Sequence, residues 1–182
     1  MADATKTDLP RLAAVVYSGD VEIEPILAAV REHLSACDGL RLGGVVPRDG
    51  DLMANGRHEM LLDDLMSGAA ISISQELGAG ADSCILDIDG LTRARLAIVS
   101  AVESGVDLVM VGKFAKQEAA GHGVREEIGA ALLADIPTLV ALRESQLAAW
   151  SDFAGDDWQR LAPEVEAIVA WADAVTAPTA VG

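Results

Sequence analysis

The sequence predicts an α/β fold: a doubly wound, mainly parallel sheet with an inserted β-hairpin. Three observations carry this expectation. Apolar runs rich in Val and Leu, LAAVVY (12–17), LRLGGVV (40–46), DLVMV (107–111) and TLVAL (138–142), have the character of strands covered on both faces. Segments with apolar residues at helical spacing follow these runs, as βαβ units require. Between the second and third runs the period shortens to two in Ala70-Ile71-Ser72-Ile73-Ser74, which marks the hairpin.

The first run, Leu12–Tyr17, leads into Ser18-Gly19-Asp20 and then into EPILAAVREHL, where Ile26, Leu27, Val30 and Leu34 recur at helical spacing. Pro25 suits the first turn, where its missing N–H costs nothing. Gly39 separates this helix from the second strand, which is expected to end at Pro47 and open into a loop reaching Asn55. HEMLLDDLMSGAAISISQEL (58–77) reads as two antiparallel strands around Ser67-Gly68, followed by a flexible loop at Gly78–Asp82. A helix is expected from about Asp89 to Ser104, with Leu91, Ala94, Ile98 and Val102 on one face, Asp87 and Asp89 as caps, and Gly105 as its stop. After DLVMV come a polar loop, GKFAKQEAAGHG (112–123), and the helix VREEIGAALLA (124–134). Asp135-Ile136-Pro137 introduces the last core strand. Helices at Gln146–Phe153 and at about Pro163–Val175 close the domain, with Trp150, Trp158 and Trp171 as packing anchors. Residues 1–176 are read as one domain and 177–182 as a disordered tail.

Charge removes one class of function. Against 29 acidic residues stand 13 basic ones, for a net charge of −16 and with no basic run. Nucleic-acid affinity comes largely from Lys and Arg neutralising phosphates, so no nucleic-acid partner is expected. No apolar run approaches the roughly 18 residues that would read as a membrane span, so no membrane insertion is expected. The segment MADATKTDLP carries acids and lacks the apolar stretch of a secretory signal. Cys37 and Cys84 form neither a CxxC pair nor a metal-ligand spacing, and free thiols fit a cytoplasmic setting.

In doubly wound sheets a ligand sits beyond the carboxyl ends of the strands. Tyr17–Asp20, the Pro47–Asn55 segment and Gly112–Gly123 occupy such places. The last holds two of the three lysines in the chain, Lys113 and Lys116, with Gln117, Glu118 and His122 beside them. Scarce cations after a core strand and before a helix N-terminus suit an anion pocket; the plainer alternative is a solvated loop. The two lysines are expected to border one crevice with the Tyr17–Asp20 turn, whose Ser18 and Gly19 offer backbone N–H groups. That turn is not a phosphate loop, because YSGDVEIEP carries acids where GxxxxGK[ST] has lysine and hydroxyl. Its alternative role is to cap the helix that follows. His58 and His122 are the candidate proton carriers, while His33 falls within a helix. No histidine has the HExxH spacing, and no metal site is read.

The stretches LAAVVY, GGVVPRDG, LMSGAAISISQELGAGADSCILD, DLVMVGKFAKQEAAGHG, IPTLVAL and LAAWSDFAG together carry a resemblance. From about Leu12 to Trp171 the chain resembles a bacterial family of unknown function often labelled molybdenum ABC transporter ATP-binding protein. More distantly, it is similar to small P-loop nucleoside-triphosphatases with both Walker motifs lost, which implies a degenerate P-loop or Rossmann-like sheet. By this resemblance Gly112 and Lys113 stand where Mg²⁺-directing acids would be, and Lys116 and Glu118 match the family's Lys and last Glu.

The resemblance implies a non-catalytic binding or accessory protein of molybdenum metabolism. Its ligand would be a small anion, molybdate-like or a nucleotide, held through Lys113, Lys116, Gln117, Glu118, His122, Ser18 and Gly19. The alternatives are a divergent nucleotide hydrolase or transferase using Glu118 as base, and a protein-interaction module without ligand. No cofactor is identified, a protein of molybdenum metabolism is the expected macromolecular partner, and a homodimer stays open.

Overall fold

The computed structural model describes residues 8–75, 85–114 and 123–178, with backbone alone at 75, 85–86 and 113–114. The chain begins with β1 (Leu12–Tyr17), every residue of which is buried, and returns along α1 (Ile23–Ser35). It continues through β2 (Leu42–Leu52), β3 (His58–Asp64) and β4 (Ala70–Ser72). Short strands β5 (Ser74–Gln75) and β6 (Ile85–Leu86) pair antiparallel as a separate two-stranded sheet. Then follow α2 (Ile88–Ser104), β7 (Leu108–Phe114), α3 (Arg125–Leu133), β8 (Thr138–Arg143), a 3₁₀ turn at Glu144–Gln146, α4 (Leu147–Ala154), β9 (Gln159–Leu161) and α5 (Val165–Thr176).

Seven strands form one sheet in the order β4-β3-β2-β7-β8-β1-β9. The pairings β2–β7, β7–β8 and β8–β1 are parallel, as the four apolar runs led us to expect; β9 adds a further parallel pairing to β1, and β3 and β4 add an antiparallel flank. The core lies in two layers, one on each face of the sheet. One packs Ala14, Val16, Val109, Val111 and Val140 beneath α2, α3 and α4; the other packs Ala13, Val15, Met110, Leu139 and Ala141 beneath α1 and α5. Each fully buried Leu, Ile or Val side chain contributes about 1.5–3 kcal/mol of transfer free energy, which is what holds helices on both faces.

Helix ends follow local chemistry. Asp87 caps α2, its carboxylate accepting from the Asp89 N–H at 3.1 Å, and Gly105 closes the helix in the left-handed conformation at φ 66°. Trp150 is fully buried against the edge of Trp158, with ring centroids 5.8 Å apart, and Trp171 donates its indole N–H to the Pro10 carbonyl on the opposite face.

The second strand departs from expectation. It does not stop at Pro47 but runs to Leu52, pairing antiparallel with β3 from Val45↔Asp64 to Leu52↔His58. What ends near Pro47 is the parallel ladder with β7, whose last pair is Val45↔Val111. Proline cannot donate to a ladder, and its ring sits so close to Gly112 that a Cβ there would lie 2.5 Å from Pro47 Cδ. The expected Pro47–Asn55 loop is therefore mostly strand. The short edge strand β9 was not read from the sequence at all.

Candidate functional site

Register brings three strand ends level on one edge of the sheet. Tyr17 stands opposite Arg143, and Leu142 stands opposite Phe114, so β1, β8 and β7 finish together. Beyond β1 the chain turns tightly: the Val21 N–H donates to the Ser18 carbonyl at 3.2 Å, and the Ser18 hydroxyl donates to Asp20. That hydroxyl bond, helped by the Asp20 backbone, holds the Asp20 carboxyl below its ordinary range. The turn does not cap α1, whose N-cap is Glu22 and which has no side-chain cap bond.

Among the described side chains, Arg143 is a cation at this edge. Its guanidinium carbon lies 5.6 Å from the centroid of the Tyr17 ring, and Nη1 rests 3.5 Å from the point a Cβ on Gly19 would occupy. Tyr17 is buried and Arg143 exposed, so the aromatic face is a fixed shelf for a solvent-facing charge. Among the described residues no carboxylate pairs with Arg143. Gly19 also lacks the side chain that would crowd the guanidinium.

A second polar feature lies where α1 meets the β2–β3 hairpin, at a groove of about 380 Å³. Asp63 is buried there between Arg48, at 3.1 Å, and Arg31, at 3.0 Å, with Glu22 and Glu24 on the rim. The bond to Asp63, then its charge, raises the Arg48 pKa and fixes the guanidinium. A larger cavity of about 810 Å³ opens at the opposite edge, near Leu12 and Leu132. Arg11 on its wall already pairs with Asp135 at 3.4 Å, so the larger space presents no comparable unpaired cation.

The residues singled out from sequence fare differently. Ser18 and Gly19 sit at the carboxyl edge, although the Ser18 hydroxyl is engaged by Asp20. Lys113 lies in β7 opposite Ala141, one position past a β-bulge that makes Gly112 the extra residue. Lys116, Gln117, Glu118 and His122 lie outside the described residues, as does Cys84. Strand β8 stands between β1 and β7, so the turn and Lys113 flank it as second neighbours, on the order of 10 Å apart at two strand spacings. His58 bonds the Gly50 carbonyl at 3.0 Å across the hairpin.

Sequence reasoning missed Arg143. Applying the strand-end rule to TLVALR as well as to DLVMVGK would have found it. It also missed the Arg31–Asp63–Arg48 cluster, since Arg31 and Asp63 are 32 positions apart and neither belongs to a motif.

Fold and edge define an α/β protein of the doubly wound, P-loop or Rossmann-like class. Residues 12–171 match the model of the family described as "Protein of unknown function (DUF2478)", and the chain belongs to that family. It is 40% identical over 169 residues to a protein of Bradyrhizobium diazoefficiens named Molybdenum import ATP-binding protein ModC 2. The match takes in 93% of this chain but spans only about a fifth of that relative's length (19%). No solved structure matches the chain. Among the described residues, no helix is long and apolar enough to cross a membrane.

Proposed function

We propose that this protein is a non-catalytic binding or accessory component of molybdenum handling that holds a small oxyanion or a nucleotide at the carboxyl edge of its parallel sheet. The observation that carries the proposal is Arg143, an unpaired guanidinium among the described residues, propped on Tyr17 and set against the backbone of Gly19. A planar, always-charged fork suits an oxyanion, and each charge-assisted hydrogen bond contributes about 1.5–3 kcal/mol. Lys113 stands in β7, one strand away from Arg143, with Lys116, Gln117, Glu118 and His122 following it in sequence. The molybdenum association is supported by the name of the relative, while its ATP binding belongs to a protein four-fifths of which lies outside the match.

Turnover is not part of the proposal. The β1–α1 turn carries Ser18-Gly19-Asp20 in place of a lysine-bearing phosphate loop, and Asp20, Glu22 and Glu24 would repel a polyphosphate unaccompanied by metal. A thermal-shift screen with molybdate, tungstate, phosphate and nucleotides tests binding: a ligand at 100 times its dissociation constant should stabilise by about 2.7 kcal/mol. Phosphate release from Mg²⁺-ATP or Mg²⁺-GTP at about 1 per second or faster, within the usual enzyme range, would replace the binder with an enzyme.

A second reading is favoured by one fact: in the relative, the matching segment is part of a much longer chain. A domain that recurs inside a larger protein suits a module that docks on another component, here with an acidic surface. Pull-down with purified molybdate-transport components, in the absence of any shift with small anions, would select it.

A further inference from the structure

The second face of the sheet carries a cluster unrelated to the carboxyl edge. His33 stands in the last turn of α1, Cys37 follows four positions later, and Asp173 reaches them from α5. Their candidate donor atoms, one imidazole nitrogen, the thiol sulfur and a carboxylate oxygen, all lie within 4.8 Å of one another. Because α1 runs back from the end of β1, this cluster lies at the amino edge of the sheet, opposite the end that Arg143 occupies.

We propose that His33, Cys37 and Asp173 form a binding site for a zinc-class divalent ion. The donor set decides the class of metal. Thiolate and imidazole favour borderline-soft ions such as Zn²⁺, whereas Mg²⁺ and Ca²⁺ require oxygen ligands throughout. With bonds of about 2.0–2.3 Å, a tetrahedral site needs donors on the order of 3.3–3.8 Å apart. Two of the three residues are exposed and Cys37 is half-buried, so small rotamer changes close the remaining distance. The backbones under His33 and Asp173 are held by Leu27, Val30 and Leu34 on α1 and by Ile168 and Ala172 on α5, and the Cys37 N–H is tied to the Leu34 carbonyl at 3.1 Å.

Electrostatics favours a cation at this place. The C-terminal end of α1 carries the negative pole of the helix dipole, and the Cys37 thiol is 3.6 Å from the His33 carbonyl, turned back toward that pole. Binding exchanges the thiol proton for the metal: the S–H bond breaks, a metal–sulfur bond forms, one proton leaves to solvent, and no oxidation state changes. Protein donors fill three of four tetrahedral positions and water takes the fourth.

The test uses the full chain, stripped of metal, in a Cys84→Ser background so that Cys37 is the remaining thiol. Titration with Co²⁺ should give a thiolate-to-cobalt charge-transfer band that saturates at one ion per chain and is displaced by Zn²⁺. Cys37→Ser should abolish the band. His33→Ala and Asp173→Asn should weaken Zn²⁺ on the order of tenfold or more, the loss typical even of outer partners in metal sites. Absence of the band, or its survival in Cys37→Ser, would overturn the site, as would unchanged affinity in both other variants. Should Cys37→Ser fail to fold, alkylation of Cys37 in the Cys84→Ser protein supplies the same answer: Zn²⁺ must slow it, and an unaltered rate refutes the proposal.

Discussion

Arg48 grips Asp63 edge-on across the β2–β3 hairpin: Nε lies 3.2 Å from Oδ1 and 3.1 Å from Oδ2, and Nη2 lies 3.1 Å from Oδ1. Arg31 completes the arrangement from α1, with Nη1 3.0 Å from Oδ2. One buried carboxylate thus bridges two guanidiniums. We expect Asp63→Ala to lower stability by about 1–3 kcal/mol, because it removes the buried carboxylate that both guanidiniums bond. Arg48→Ala should cost less, since Arg31 remains on the carboxylate. Urea unfolding of the two variants checks the order, and a larger loss in Arg48→Ala would contradict it.

Gly44 and Gly129 should respond to alanine in opposite directions. Gly44 has φ 98°, and a Cβ there would lie 2.0 Å from the Met110 carbonyl oxygen on the neighbouring strand. Gly44→Ala therefore forces the central β2–β7 ladder apart and is expected to cost about 3 kcal/mol or more. Gly129 sits within α3 with nothing near the added carbon. Gly129→Ala should stabilise by about 0.4–1 kcal/mol through helix propensity and a less disordered unfolded chain. Thermal melts of both variants supply the comparison.

Arg95 holds Glu127, a nearly buried carboxylate, at 2.7 Å, and spans to Glu126 at 3.0 Å. We expect Arg95→Ala to lose about 2–3 kcal/mol by stranding Glu127 without its cation. Arg95→Lys should recover only part of this, since a single ammonium cannot span both carboxylates as the guanidinium fork does. Denaturant unfolding of the two variants measures both effects.

Much of the fold was legible because burial on both faces leaves residues 12–17, 108–111 and 139–142 as short, Val-rich apolar runs. The ends of α2 were legible through Asp87 and Gly105, whose chemistry is local. The extension of β2 past Pro47 was not, because Arg48-Asp49-Gly50-Asp51 is polar rim and its strand character comes from backbone pairing with β3. Nor was β9, three residues whose place is fixed by β1 rather than by its own pattern. At the edge, the lysines drew attention because they are scarce. Arg143 reads in sequence as the ordinary polar end of a strand, and only the Tyr17↔Arg143 register reveals what it rests on. The pairing of His33 and Cys37 with Asp173 is hidden for a similar reason, since it crosses from the first helix of the chain to the last.

Asp20 gives a pH dependence with a definite sign. Its folded carboxyl is held below its ordinary value, mainly by the Ser18 hydroxyl. The stabilising contribution is therefore present above the usual aspartate range, about 3.9, and fades as pH falls through the lower folded value. Titration of Asp20 by NMR should show protonation below that range in the wild type and a return toward it in Ser18→Ala. Equal titration in both would mean that the hydroxyl bond is not what holds the proton off.

Calorimetry on Arg143→Ala is the most direct test of anion binding at the carboxyl edge. Wild-type protein titrated with molybdate, and separately with nucleotides, should bind one of them. Arg143→Ala should weaken that ligand by about tenfold or more, about 1.4 kcal/mol, and Lys113→Ala should weaken it in the same direction. Wild-type protein that binds none of these ligands, or an Arg143→Ala variant that binds as tightly as wild type, would contradict the assignment of this edge.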